Sequence, residues 1–325
     1  MKLEKYLNYI DNAIAKLLYE KHNTDFVRTD SVDAIAARLK KLWAEERLPC
    51  VFLIEGLPGI GKSAAANYVG EVLKGSSPDR VIKYFFSKNR NPLENVNNFY
   101  AYVCGRIELL LAKDEGNDAV TAALGKEWKT EWKWNDLQDS IVRLADSIGK
   151  DDQKRVLFVI DGVEELDEHE ELLRKLPAAQ GMVYALFSQP GVCEGKISPD
   201  FKENGKIKNQ AAIEFLGKKA AAELFWEVYG DKSEASGQDA DPKISERLDA
   251  HLSVEENRYP LLLRVLAEDA KDGFNPSRAA WAKGLREYVD ERYNDISEAA
   301  KKLLAQVSLA RGPLAIDDLV EILNM

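Results

Sequence analysis

The 325-residue sequence has little of what builds metal centres or disulfide frameworks: three cysteines and three histidines. Cys50, Cys104 and Cys193 lie too far apart for a paired metal motif and are odd in number for a disulfide framework, so reduced, structural thiols are expected. His22, His169 and His251 stand alone, and His169-Glu-Glu-Leu-Leu173 lacks the second histidine of a zinc H-E-x-x-H. Solvated helix histidines are the expectation. Long apolar runs are missing as well. Val51 to Ile54 and Val156 to Ile160 fall far short of the roughly 20 residues of a membrane span, so no membrane partner is expected. Charges at Lys2, Glu4, Lys5, Asp11 and Lys16 leave no room for a signal-peptide apolar region, which predicts a cytoplasmic location. Basic charge is in deficit, with 45 Lys and Arg against 55 Asp and Glu for a net charge of −10. That balance excludes bulk binding of nucleic acid, which needs a basic surface to displace counterions. Neither an internal repeat nor a low-complexity tract nor a G-x-S-x-G nucleophile elbow occurs. What is present, 45% hydrophobic and 31% charged residues, is ordinary globular usage in a chain long enough for two or three modules.

The patterns divide the chain. Leu3, Leu7, Ile10, Ile14 and Leu17 recur at steps of four and three, which predicts an amphipathic helix over 1–25, packed on its own domain because fewer than three heptads are present. A second helix is predicted from about Ser31 to Glu46, capped by Asp30 or Ser31. Short apolar runs bounded by turn residues then alternate with helical segments: Cys50 to Glu55, Val81 to Phe86, Val156 to Ile160, Met182 to Phe187 and Lys206 to Phe215. Such alternation predicts an α/β fold, three layers around a parallel five-stranded sheet. Residues 26–230 would form this domain. Lys218 to Tyr229 reads as a helix, and 231–242 is polar, turn-rich and aperiodic, a linker. The remainder reads as helical: a small helical domain at 243–292 and the start of another at 293–325. Trp128 and Trp132, at a spacing of four, are expected on a helix between the second and third strands.

Two motifs carry chemistry. Gly56-Leu-Pro58-Gly59-Ile60-Gly61-Lys62-Ser63 fits G-x-x-x-x-G-K-[ST] and sits between a strand and a helix, where a phosphate-binding loop must be. Its backbone N–H groups and the helix N-terminus, with Ala64 in its first turn, would cradle phosphates; Lys62 would reach the β and γ phosphates and Ser63 would hold Mg²⁺. Asp161 ends the apolar strand of Val156 to Ile160 at the C-terminal edge, where ligands bind in open α/β sheets, and would complete the Mg²⁺ site. Glu165, or its neighbour Glu164, could polarise the attacking water. An acidic cluster at a helix N-terminus would also explain Glu164 to Asp167, though not an aspartate ending an apolar strand.

The phosphate loop and Asp161-Gly-Val-Glu-Glu165 resemble the NACHT and NB-ARC group of STAND NTPases, ATP-dependent switches related to AAA+ proteins, whose second motif reads D-G-x-D-E. Glu164 replaces the second aspartate. Phe26-Val27-Arg28 is similar to the F-x-G-R entry segment without its glycine, and Arg258-Tyr259-Pro260-Leu261 to the G-x-P-L segment whose proline touches nucleotide. Tyr184 to Pro190 looks like the sensor strand, with Gln189 where the family carries an arginine that reads the γ-phosphate. Ala220 to Trp226 is similar to the first helix of the family's small helical domain, and 296–319 to the start of its winged helix. The resemblance implies an ATP/ADP- and Mg²⁺-dependent switch that self-associates in the ATP state, with Arg28, Gln189 and Pro260 among the nucleotide contacts. It also implies effector and sensor partners that this chain does not contain, and a setting in prokaryotic antiviral defence. Adenine is favoured over guanine because no N-K-x-D occurs. An AAA+ motor or loader, and a non-enzymatic scaffold locked by structural nucleotide, are the alternatives; a small-molecule kinase, lacking an Arg-rich lid, is the weakest.

Overall fold

The computed structural model describes residues 1–22, 28–75, 80–88, 90–129, 131–148, 154–203, 206–230, 242–258 and 260–271. The chain separates into two compact units, Met1–Glu214 and Phe215–Met325. This division precedes the polar stretch 231–242 and assigns the helix Lys218–Tyr229 to the second unit. The expected start of a further domain at 293–325 lies outside the described residues, as do 231–241 and 272–292.

The first unit is built on parallel strands β1 (Cys50–Glu55), β2 (Val81–Phe85), β3 (Val156–Asp161), β4 (Met182–Ser188) and β5 (Lys206–Ala212), in the order β2-β3-β4-β1-β5. Its central strands are buried except at Glu55, the last residue of β1, which is why they read as continuous apolar runs and not as alternation. The connection from β1 to β2 crosses the sheet in one direction, and those from β2 to β3 and β3 to β4 return in the other. Right-handed crossovers therefore put their helices on opposite faces. Helix α3 (Lys62–Lys74) packs on β2, β3 and β4 together with α2 (Asp30–Glu45), while α4 (Val96–Glu115) packs against α5 (Asn117–Gly125) and α6 (Trp134–Ile148). The short helices α7 (His169–Arg174) and α8 (Pro199–Glu203) complete the return connections. The fifth strand stops at Ala212, before the predicted Phe215.

Helix α1 (Leu3–His22) buries Leu3, Leu7, Ile10, Ile14 and Leu17 against α3, α4 and α5, so the periodic stripe packs within its own domain. Gly105 allows the approach, since a Cβ there would meet Leu3 Cδ1 at 2.8 Å. Polar anchors fix the register: the Tyr102 hydroxyl donates to Asp11 Oδ1 at 2.8 Å, and Arg106 Nη2 donates to the same carboxylate. The cap of α2 is Thr29, not Asp30 or Ser31. Thr29 is the last extended residue, and its hydroxyl accepts the Val32 amide at 3.3 Å.

The tryptophans depart from expectation. Trp128 and Trp132 are not helical, because their segment turns back to the N-terminus: Trp128 donates its amide to the Met1 carbonyl at 2.7 Å, and Glu127 bridges Lys2. The rings stack with centroids 4.4 Å apart, the contact that the spacing imitated.

In the second unit α9 (Lys218–Tyr229) packs on α10 (Pro242–Leu252) and α11 (Pro260–Lys271). Leu224, Phe225, Leu248, Leu263 and Leu266 are buried there. His251 is buried too, contrary to the expected solvated histidine. Its Nε2 lies 3.1 Å from the Asn257 carbonyl, an acceptor on the turn between α10 and α11. A neutral ring donating there keeps charge out of the core, and burial lowers the imidazole pKa to about 4 against the weaker opposing effect of that bond.

Candidate nucleotide site

The phosphate loop leaves β1 at Glu55 and enters α3 at Lys62. Its first amide, Gly56 N–H, donates to the Ser188 carbonyl at 3.1 Å, which ties the loop to the end of β4. Gly59 (φ 79°) and Gly61 (φ 97°) adopt the left-handed conformation that L side chains avoid. A Cβ at Gly61 would meet nothing within 4 Å, so the backbone conformation, and not crowding, requires glycine there. Lys62 is buried, and its Nζ donates to the Gly56 carbonyl at 2.9 Å and the Leu57 carbonyl at 3.2 Å. The ammonium is thus folded into the concave side of its own loop. Ser63 and Ala64 follow within the first turn of α3, whose N-terminal amides face the loop.

Strand β3 delivers Asp161, buried, to the same edge, with β4 between it and β1. Gly162 then turns the chain with φ 73°, and a 3-10 turn, Val163–Glu165, follows. The turn separates the two glutamates. Glu164 Oε1 lies 3.7 Å from Lys62 Nζ, and both side chains are nearly buried. Its other oxygen, Oε2, is buried without a hydrogen bond. Glu165 Oε2 instead accepts the Lys88 amide at 3.1 Å from the loop after β2. The glutamate expected first as the catalytic group is engaged away from the phosphate lysine, and the one expected second faces it.

Gln189 follows Ser188 directly and is half-buried; its carbonyl accepts the Val192 amide at 3.3 Å. Arg28 is exposed and tied to Asp33 at 2.8 Å, with its guanidinium 5.7 Å from the Tyr68 ring on α3. That partnership, together with the Tyr68 hydroxyl, holds the Asp33 carboxyl below its ordinary range. Phe26, Val27 and Tyr259 lie outside the described residues. Pro260 opens α11 in the second unit.

The role of Glu55 was not anticipated. Glu55 Oε1 accepts the Gly191 amide at 3.0 Å and so fastens the loop after β4 to the start of the phosphate loop. An acid ending an apolar strand was the available signal. Cys193 is buried with its Sγ 3.4 Å from the Ser188 hydroxyl, and burial pushes the thiol up to about 11, a structural thiol as expected.

Among the described residues no group of three or more His, Cys, Asp or Glu could hold a metal. A single carboxylate and a hydroxyl suit Mg²⁺ arriving with phosphates, since that ion keeps most of its other ligands as water and phosphate oxygen. The glycine cradle and the inward lysine fit a phosphate group beside the loop. No described helix is long and apolar enough to cross a membrane.

Residues 37–183 match the family Nephrocystin 3, N-terminal. No curated protein matches. Among solved structures, Cdc6p from Pyrobaculum aerophilum is similar at 10% identity and TM-score 0.46, over 94% of this chain and 83% of that one. The Aeropyrum pernix ORC2 protein in ADPNP–ADP complexes gives 13% identity and TM-score 0.40, over 90% and 78%. Drosophila ORC bound to DNA gives 12% and 0.40, over 90% and 71%. The chain has an α/β fold on a parallel five-stranded sheet, with the phosphate-loop strand and the acidic strand on either side of β4.

Proposed function

We propose that the protein binds ATP with Mg²⁺ at the Gly56–Ser63 loop and acts as a slowly hydrolysing switch. One observation carries the reading: Lys62, Glu164 and the left-handed glycines converge on one concave loop. The ammonium donates to two loop carbonyls and faces a carboxylate, so arriving phosphates would exchange those partners for stronger, doubly charged ones. Glu164, released from Lys62, is then the side chain available to orient and polarise water. Its Oε2 makes no hydrogen bond within the protein and can accept one from water. Glu165 is a positioning residue that holds the loop after β2 through the Lys88 amide. Ser63 and Asp161 would hold Mg²⁺, which supplies charge neutralisation at the phosphates. Arg28 and Pro260 are proposed as further nucleotide contacts.

In this reading ADP holds the units in one arrangement, and exchange for ATP frees them to rotate and self-associate, with effector and sensor partners supplied by other chains or segments. A role in antiviral defence rests on the resemblance to STAND proteins. Gln189 favours a second reading, a scaffold in which nucleotide is structural, because a neutral amide cannot stabilise charge on a transferring phosphate as a guanidinium does. Titration calorimetry with ATP and ADP, with and without Mg²⁺, tests the common premise. Wild-type protein should bind in the micromolar range or tighter, and Lys62→Ala should weaken binding about a hundredfold or more while the thermal midpoint holds. Equal affinity in the variant would overturn the site.

A further inference from the structure

Strand β4 ends at Ser188, which lies opposite Glu55 in the register with β1, so Gln189 leaves the sheet beside the phosphate loop. The chain then turns at once. The Gln189 carbonyl accepts the Val192 amide at 3.3 Å, which closes a four-residue turn through Pro190 and Gly191. Proline holds its own φ near about −65°, and Gly191 has φ 77°, the combination that a type II turn requires. A Cβ at Gly191 would meet nothing within 4 Å, so the backbone conformation alone calls for glycine.

The central peptide of such a turn takes no part in the closing bond, and its N–H must find a partner elsewhere. Here the Gly191 amide donates to Glu55 Oε1 at 3.0 Å. A carboxylate acceptor makes that bond stronger than one to a neutral oxygen. The acceptor's own backbone is held: the Glu55 carbonyl receives the Ile213 amide at 2.8 Å, and the next amide, Gly56 N–H, reaches the Ser188 carbonyl at 3.1 Å. The far leg of the turn is anchored separately by buried Cys193, whose Sγ lies 3.4 Å from the Ser188 hydroxyl. What Glu55 adds is a fixed tip, and with it a fixed backbone from which the Gln189 side chain projects.

We propose that Glu55 is a positioning residue for Gln189 and so sets selectivity for nucleoside triphosphate over diphosphate without touching the nucleotide. This role rests on the ATP reading above, with Gln189 as a neutral donor to the γ-phosphate. The phosphates that ADP shares with ATP are held by loop amides and Lys62, so ADP should not feel the turn.

Titration calorimetry on the full chain, with Mg²⁺ and either ADP or the non-hydrolysable β,γ-imido analogue of ATP, tests the role independently of turnover. Glu55→Ala should weaken the triphosphate about three- to tenfold, the worth of one hydrogen bond, and leave ADP within about twofold. Glu55→Gln keeps an oxygen that can accept the Gly191 amide and should restore most of the affinity. Gln189→Ala should produce the same selective loss, and adding Glu55→Ala to it should weaken binding little further, because the two side chains act in series. Equal weakening of both nucleotides, equal losses with alanine and glutamine at position 55, no selective loss in Gln189→Ala, or additive losses in the double variant would overturn the positioning role alone. Wild-type protein that binds neither nucleotide would overturn the ATP reading and this role with it.

Discussion

Two turns leave the C-terminal edge of the sheet, each begun by a strand ending in an acid and each bent by a left-handed glycine, yet they are built for different purposes. At Gly61 a methyl group would meet only open space, and the following lysine turns back into the loop. At Gly162 a methyl group would strike the Phe86 carbonyl oxygen at 2.6 Å. The first turn is a cradle whose shape comes from backbone conformation. The second is a packed corner whose shape comes from contact, and that corner sets Glu164 toward the cradle and Glu165 toward the loop after β2. Rigid packing on one side thus aims chemistry at an open loop on the other.

The largest effect should come from splitting the glutamate pair. Glu164→Gln should lower single-turnover ATP hydrolysis on the order of a hundredfold or more while leaving ATP affinity nearly intact. Glu165→Gln keeps a hydrogen-bond acceptor for the Lys88 amide, so turnover should fall only a few-fold. A reversed order in quench-flow assays would show that the corner does not aim the chain as described.

The glycines are next. Gly162→Ala combines left-handed strain with the collision at Phe86 and should lower unfolding free energy by about 3 kcal/mol or more in urea titrations. Gly61→Ala carries the strain alone, about 1–2 kcal/mol, but puts a methyl group into the cradle and should weaken nucleotide binding more than Gly162→Ala does. Equal stability losses would erase the distinction between cradle and corner.

A third turn, in the second unit, is closed by a side chain. His251 reaches the Asn257 carbonyl, and the Asn257 amide returns to the His251 carbonyl at 3.4 Å. With the folded pKa lowered to about 4 from an ordinary 6.5, the unfolded state binds more protons between those values. Stability is therefore full above about pH 6.5 and lost as pH falls toward 4, on the order of 2 kcal/mol between pH 7 and pH 5. The difference between the wild-type and His251→Gln thermal profiles isolates this loss from other acids; parallel profiles would mean that the imidazole is not buried neutral.

What the sequence disclosed follows from how local each feature is. The phosphate loop and Asp161 were legible because glycine spacing, lysine and a strand-ending acid all lie within a few residues, and Lys218–Tyr229 because helical periodicity is local too. The division of roles between Glu164 and Glu165 was not, since Glu165 is engaged by a Lys88 amide contributed from 77 residues away. The burial of His251 was equally hidden, because a lone histidine carries no sign of the carbonyl that will receive it. Trp128 and Trp132 misled because two rings that stack outside any helix happen to have the spacing of one helical turn.

The smallest effect sharpens the open side of the comparison. Gln189 follows Ser188, whose carbonyl receives the first amide of the phosphate loop, so its side chain stems from the rim of the cradle. An arginine there would bring a permanent cation toward the phosphates, where a desolvated site makes charge worth more than in water. Glutamine offers a donor without charge, so the wild-type protein should discriminate ATP from ADP weakly and turn over well below the roughly 1–100 per second of kinases. Any missing cation would have to come from a neighbouring protomer, and turnover should then rise with protein concentration. Gln189→Arg should raise single-turnover hydrolysis in dilute protein about tenfold, a barrier change of about 1.4 kcal/mol. Brisk hydrolysis by dilute wild-type protein, with no gain from the arginine and no dependence on concentration, would mean that this rim position does not sense the γ-phosphate.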